Sequence, residues 1–312
     1  MGISVTLLAA LVADHWFGEP RRGHPLIVFG RCAHAWEARF NHGRRRDGLL
    51  AVGVLVVIPT AAIFGVGRWL PPWAAWIGAG GLAMLAIGRH SLIEHARAIA
   101  VPLAAGRRAE ARQRVAALVS RDTQTMDSLS IRRAALESIL ENASDAIAAT
   151  IVWFTIGGWF AGPAGAAAGV VLHRLTNTLD AMWGYRVPRY RSFGWVAARL
   201  DDGLNWLPAR LLAWAFVACG QSRSALACWR EQARYLDSPN AGPVMTAGAG
   251  ALEISLGGGA RYHGVWRDRP AIGRGALPVD GDIDRALGLI DRAIGLIVVA
   301  VSVVALLTGC WP

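Results

Sequence analysis

Apolar and polar positions come in long blocks along this chain. Three blocks, Leu49 to Gly67, Pro72 to Gly88 and Ala293 to Gly309, are apolar over close to the roughly 20 residues a helix needs to cross a bilayer. The first two are joined only by Arg68-Trp69-Leu70-Pro71, the spacing of a tight helical hairpin. The opening stretch, Ile3 to Phe17, has no basic segment before it and runs straight into Gly18-Glu19-Pro20-Arg21-Arg22. It reads as a retained membrane helix, not a cleaved signal peptide. Two further blocks are irregular. Ile147 to Leu172 is interrupted by Gly157-Gly158 and Gly162-Pro163, and Leu204 to Gly220 carries Pro208 and Arg210. Each is compatible with a full span, a re-entrant hairpin or a helix in the membrane plane.

The polar segments decide between topologies. Segments 18–48, 89–146, 173–203 and 221–292 are all rich in Arg, whereas 68–72 has a single Arg, so the positive-inside rule places the four on the cytoplasmic side. That placement requires 147–172 to turn back at its glycine-proline break, with the non-helical backbone buried in protein or lining a cavity. Within 89–146, Leu118 and Val119, then Leu129, Ile131, Leu136, Ile139 and Leu140, predict amphipathic helices. Ser120 to Asp127 is the break between them, with Asp127 or Ser128 as a cap. The expected fold class is all-α: a polytopic integral membrane protein with about 4–6 membrane helices, one re-entrant or broken element and cytoplasmic helical insertions. No repeat of fixed period is visible. Residues 1–312 read as one membrane-embedded domain with a polar helical insertion at about 89–146 and polar loops at about 221–290.

Composition agrees with a membrane protein carrying polar insertions: 54% of the 312 residues are hydrophobic and 17% charged. The net charge of +10 sits on arginines interleaved with apolar spans, so nucleic acid is not an expected partner. All 32 basic residues are Arg. A Walker A lysine, a Schiff base and a lysyl-adenylate are therefore excluded, and a bound nucleotide would rest on arginines, backbone N–H groups and metal. Cys32, Cys219, Cys228 and Cys310 lack the spacing of a zinc site, an iron–sulfur cluster or a disulfide framework. The histidines, His15, His24, His34, His42, His90, His95, His173 and His263, show no metal-binding spacing. His24, within Arg21-Arg22-Gly23-His24-Pro25, is the one set apart from a purely structural role.

The strongest local signal for chemistry is Glu137, Glu141 and Asp145, which fall at i, i+4 and i+8 and so share one helix face. Such a stripe repels itself unless water or a cation intervenes, and carboxylate oxygens suit Mg²⁺. A solvated helix face explains the spacing equally well. Asn177-Thr-Leu-Asp180 repeats the Asn-x-x-Asp spacing of Asn142-Ala-Ser-Asp145, with the apolar 147–172 element between them. A hairpin there would bring both pairs to one side of the membrane, where they could hold a metal-bridged phosphate, although Asn177 could instead cap a helix. Asp201 and Asp202, flanked by Arg199 and Arg210, are read as metal ligands or a base, or as helix-capping and interfacial residues. Arg186, Arg189 and Arg191, beside Tyr185 and Tyr190, could fork onto anions or anchor the chain at the interface. Ser238-Pro239-Asn240-Ala241-Gly242 and Leu256-Gly257-Gly258-Gly259 are loops whose glycines allow backbone to approach a ligand closely.

These motifs together resemble the adenosylcobinamide-phosphate synthase family of cobalamin biosynthesis (CobD/CbiB). The matching stretches, in order, are Gly18 to Arg22 with His24-Pro25, Ser120-Arg121-Asp122-Thr123, Glu137 to Asp145 and Asn177 to Arg186. Phe193-Gly194-Trp195 through Asp201-Asp202 to Arg210, Ser238 to Gly242 and Leu256-Gly257-Gly258 complete the set. Pro243-Val244-Met245 departs from the Trp-Pro-Glu of many members. The resemblance implies an ATP-dependent carbon–nitrogen ligase that joins adenosylcobyric acid to aminopropanol phosphate or aminopropanol, giving adenosylcobinamide phosphate or adenosylcobinamide. A carboxylate must first be activated, most simply as an acyl phosphate, which calls for ATP with Mg²⁺, cationic groups on the transferred phosphoryl, and a base for the amine. On charge and spacing we place Glu141, Asp145 and Asp180 at Mg²⁺, and Arg121, Arg186 and Arg189 with Asn240 at the nucleotide. Asp201, Asp202 and Glu137 take the catalytic roles. The expected location is the cell inner membrane with the site facing the cytoplasm. The bilayer is one partner, and a second copy of the chain or other corrinoid enzymes stay open as others. The 14 tryptophans offer flat apolar surface for a corrin.

Three other readings fit parts of the pattern. Paired Asn-x-x-Asp segments occur in Mg²⁺-diphosphate transferases of the UbiA-like type, and broken helices with intramembrane charges occur in transporters. A scaffold that anchors other corrin enzymes is the third.

Overall fold

The computed structural model describes residues 2–20, 23–262 and 264–307, so Arg21, Arg22, His263, Gly309 and Cys310 lie outside the described residues. In chain order the helices are α1 (Ile3–Phe17), α2 (Pro25–Phe40), α3 (Arg45–Val52), α4 (Ile58–Trp69), α5 (Pro72–Ile87), α6 (Arg89–Ala104), α7 (Arg108–Val115) and α8 (Ser128–Asn142). They continue with α9 (Ala149–Trp183), α10 (Trp195–Cys219), α11 (Ser222–Gln232), α12 (Ala241–Leu252) and α13 (Asp282–Leu307). Wider π-helical turns, Gly53–Val57 and Ala143–Ala148, link α3 to α4 and α8 to α9. Three continuous helical stretches, Arg45–Trp69, Ser128–Trp183 and Asp282–Leu307, are long and apolar enough to cross a membrane. The expected span Ala293 to Gly309 is thus, as far as Leu307, the apolar part of a helix that begins at Asp282. α1 has the predicted bounds and is apolar but shorter, and α10 runs through Pro208 as one helix.

Local chemistry explains the ends of these elements. His24 caps α2: its Nδ1 accepts from the Leu26 N–H at 3.2 Å, Pro25 takes the first helical position, and the other ring nitrogen bonds the Leu85 carbonyl at 3.1 Å. The histidine set apart on sequence is therefore accounted for as a cap. Asp127 caps α8, accepting from the Ser130 N–H at 2.8 Å. Gly88 ends α5 in a left-handed conformation. Leu118, placed on a helix by its apolar character, closes the turn that follows the end of α7 at Val115, and Val119 comes after it outside any helix.

The all-α expectation needs one addition, since four short strands form in the 221–290 segment read as loops. β1 (Leu256–Gly257) pairs antiparallel with β4 (Ala271–Ile272), and β2 (Ala260–Tyr262) with β3 (Val265–Arg267). Strands of two or three residues carry too little periodicity to show in the sequence.

Where the sequence reads as one domain, the chain gathers into two compact units, each discontinuous. The first comprises residues 1–89, 145–207 and 298–312, the second 90–144 and 208–297. Every boundary falls inside or beside a helix, so no linker composition marks it. In the first unit, α9 is the centre against which α1, α2, α4 and α5 pack. A core of Ala33, Ala51, Val52, Val56, Leu179, Trp183, Phe193 and Ala197 fills the end where α2, α3 and the close of α9 meet. The Trp183 and Phe193 rings meet edge to face, with centroids 4.7 Å apart. In the second unit, α12 packs against α8 and α11 and is buried along its whole length.

The chain reverses within α9. Ala161 (φ −142°, ψ 21°) and Gly162 (φ 61°, ψ −151°) leave helical geometry just before Pro163, so two helical halves lie against each other. Gly162 occupies a region that only glycine enters readily. Gly157 is not part of the turn. It faces Gly165 so closely that a Cβ on it would stand 2.0 Å from the Gly165 carbonyl oxygen, and one on Gly169 would stand 2.4 Å from that of Trp153. Gly157→Val is expected to destabilise at the top of, or beyond, the roughly 1–3 kcal/mol of an overpacked core, because the obstacle is backbone. Gly78→Ala, which meets nothing within 4 Å, should leave the thermal unfolding of the detergent-solubilised protein unchanged.

Candidate functional site

The reversal at Gly162–Pro163 brings the two ends of the hairpin to one end of the first unit. Asp145 and Asp180 are equidistant in sequence from this apex, and both are half-buried. Arg174, on the returning half, is within electrostatic range of Glu19, Asp145 and Asp201, and its Nε–H is buried with no hydrogen-bond partner. Beside it, Asn177 donates to Asp201 at 3.3 Å, and His173 Nε2 meets Asn205 Oδ1 at 2.9 Å. Asn177 lies inside α9 and Asp201 inside α10, so neither is a helix cap. Glu19 Oε1 lies against Gly88, where a Cβ would come within 2.9 Å of it. Three carboxylates thus lie within electrostatic range of one guanidinium.

Of the other residues in this unit, Asp202 forms an ion pair with Arg199 at 2.9 Å. Arg189 forks onto the buried Glu37, with Nε and Nη2 at 2.8 and 2.7 Å from its two oxygens. The bonds from Arg189 lower the Glu37 pKa below the usual carboxylate range, against the effect of burial. The guanidinium expected at a nucleotide phosphate therefore ties the 184–194 loop to α2. Arg186 is exposed in the same loop.

Arg174 escaped the sequence reading, although an arginine directly after a long apolar block is a signal of function by default. Asp201 was found. Its side chain is 8% exposed, and burial pushes its pKa from an ordinary 3.8 up to about 6, against the bond from Asn177 that favours the charged form. The folded protein therefore holds this proton more tightly than the unfolded chain does. The contribution to stability is complete below about pH 4 and lost as pH rises to about 6, a difference of roughly 3 kcal/mol. Asp201→Asn should flatten the fall in apparent Tm across that window; an unchanged slope would assign the titration to another group.

The second unit carries a separate arrangement around Glu137 on α8. This carboxylate is 2% exposed and fully engaged. Oε2 accepts from Arg121 and, at 2.8 Å, from Arg269, while Oε1 accepts from the Gly257 N–H at 2.9 Å. Burial alone would lower the Arg121 pKa, but the adjacent Glu137 carboxylate more than restores it and the pKa is raised. Gly257 explains the glycine run, because its left-handed φ of 76° and close approach to Pro270 leave no room for a side chain. The two arginines open onto a cavity of about 440 Å³, also lined by Glu141, Ser120, Ser238 and Met245. Met245, standing where the resemblance leads one to expect an acid, makes an apolar wall. Asn240 accepts from Arg210 Nη1 at 3.3 Å at the start of α12.

Glu137, proposed on sequence as catalytic, is thus occupied holding two arginines. Glu141 lines the cavity of the second unit, whereas Asp145 and Asp180 belong to the first. Among the described residues no three His, Cys, Asp or Glu side chains gather to hold a metal ion. Arg269 was not singled out in the sequence, where Arg267-Asp268-Arg269 looks like an ordinary polar loop.

Comparison with known proteins places these features in a family. The family described as CobD/Cbib protein matches residues 7–290. "Cobalamin biosynthesis protein CobD" of Stutzerimonas stutzeri (strain A1501) is 48% identical over 293 residues, covering 93% of each chain. Its namesake in Chromobacterium violaceum is 44% identical over 318 residues, covering 99% of each. That of Mycobacterium tuberculosis (strain H37Rv) is 38% identical over 293 residues, covering 92% of this chain and 90% of the relative. No solved structure matches the chain. With one family covering nearly its whole length and the relatives matched end to end, the chain belongs to the CobD/CbiB family.

Proposed function

We propose that this protein catalyses the amide-forming step of cobalamin biosynthesis, an ATP-dependent condensation of adenosylcobyric acid with aminopropanol phosphate or aminopropanol. The relatives that span its length are named for cobalamin biosynthesis. The observation that carries the chemistry is Arg174, a half-buried guanidinium in electrostatic range of Glu19, Asp145 and Asp201, whose buried Nε–H lacks an acceptor. A buried donor of this kind costs stability unless an anionic oxygen completes it.

Among the described residues these carboxylates do not gather into a three-ligand metal site, so Mg²⁺, which keeps water and substrate phosphate among its ligands, would arrive with the nucleotide. Arg174 would hold an oxygen of the phosphoryl group, with Asp145 and Asp201 in electrostatic range of it. Mg²⁺ with ATP supplies the phosphoryl that turns the corrinoid carboxylate into an electrophile. This chain's residues neutralise the charge that develops on the transferred group and keep bulk water from the activated acid. In this reading the Arg-rich segments face the cytoplasm, where ATP is available, and the protein resides in the cytoplasmic membrane.

Purified protein given adenosylcobyric acid, aminopropanol phosphate, ATP and Mg²⁺ should form, by mass spectrometry, a product heavier by the condensed amine. Omitting any one component should abolish it. Asp145→Asn should lose turnover at least a hundredfold with apparent Tm retained; full activity would remove this cluster from the reaction. Product formation in detergent, without a closed vesicle, also separates catalysis from transport.

A further inference from the structure

We infer that the cavity of the second unit is the binding site for a small zwitterion with a phosphate monoester at one end and an ammonium at the other. It would be the amine substrate of the reaction proposed above, and the inference rests on that reading for the molecule's place in catalysis.

The cavity offers both charges in one small space. Arg121 and Arg269 are 12% and 22% exposed and both line it, while Glu137 behind them accepts from both. One carboxylate shared by two guanidiniums fixes their positions and leaves a surplus positive charge, which suits a phosphate. Glu141 lies one helical turn beyond Glu137 and lines the same cavity. Among the described residues it has no hydrogen-bond or ion-pair partner, and it is half-buried. A carboxylate held there without a partner is costly, and an ammonium would relieve it.

Size and charge select among the reactants. At about 440 Å³ the cavity lies toward the lower end of the roughly 300–1,000 Å³ of small-molecule sites, too small for a corrin with its side arms. Its lining includes Glu137, Glu141, Asp237 and Asp268 against Arg121 and Arg269. A triphosphate would add about three to four negative charges to that lining, whereas a phosphate monoester that brings its own ammonium adds only about one. Glu137 is a positioning residue here, Arg121 and Arg269 recognise the phosphate, and Glu141 recognises the amine.

The test is calorimetric titration of the full-length protein in detergent, without ATP or corrinoid, using three probes: aminopropanol phosphate, aminopropanol, and propanediol phosphate, which lacks the amine. Arg269→Met should weaken the two phosphates by about 10–100-fold, the loss expected for a charge-assisted bond, and leave aminopropanol unchanged. Glu141→Gln should weaken the two amines and spare propanediol phosphate. Because Glu141 holds no partner, its isosteric replacement should fold even if Arg269→Met does not. Equal loss for all three probes, no loss, or displacement of aminopropanol phosphate by MgATP would overturn the assignment. An active amide synthase in which neither variant changes the amine KM would overturn this inference alone, whereas specific binding without any amide product would instead remove the proposed reaction.

Discussion

The reversal of α9 is the constraint on which the first unit depends. Backbone at Gly157 lies directly on backbone at Gly165, and Gly169 on Trp153, so the halves approach more closely than any pair of side chains would permit. Without that approach the returning half could not present Arg174 in range of Asp145 while α1, α4 and α5 close around the outside. The same reversal leaves Trp183 at the far end to pack on Phe193 and seat α2 and α3.

Charge inside an apolar scaffold is stable only where it is matched, and the two units solve this differently. In the second, Glu137 is saturated by two guanidiniums and a backbone N–H, which leaves Arg121 and Arg269 fixed in place at a cavity wall. In the first, Arg174 keeps an unmet N–H within range of three acids. Saturated groups hold positions, and unsaturated ones are where a ligand gains most by binding. By this measure Arg189 and Glu37, joined through two bonds, are structural, and Glu141 and Arg174 are the groups proposed above to meet ligands.

Long-period features were legible in the sequence. The apolar blocks gave α1, the Arg45–Trp69 and Asp282–Leu307 helices, the break at Gly162–Pro163 and the Asp127 cap. The glycine pair at 157–158, read as part of that break, serves close packing instead, because glycine permits both a turn and a tight approach and only the partner surface tells which. The strands of 256–272 were not legible, being shorter than the period that would reveal them. His24 looked chemical because it sits among charged residues, yet it caps a helix.

The sequence by itself determined a largely helical protein with stretches apolar enough to cross a membrane, its family, and the segments that carry the acids and arginines, because hydrophobic blocks and motif order are properties of the chain alone. Only the tertiary structure decided which charges are used up and which are open. The partners of Glu137 lie 16 and 132 residues away, and that of Arg189 lies 152 residues away. Ion pairing depends on distance in space, falling off over a few ångströms, and spacing along one helix cannot supply it.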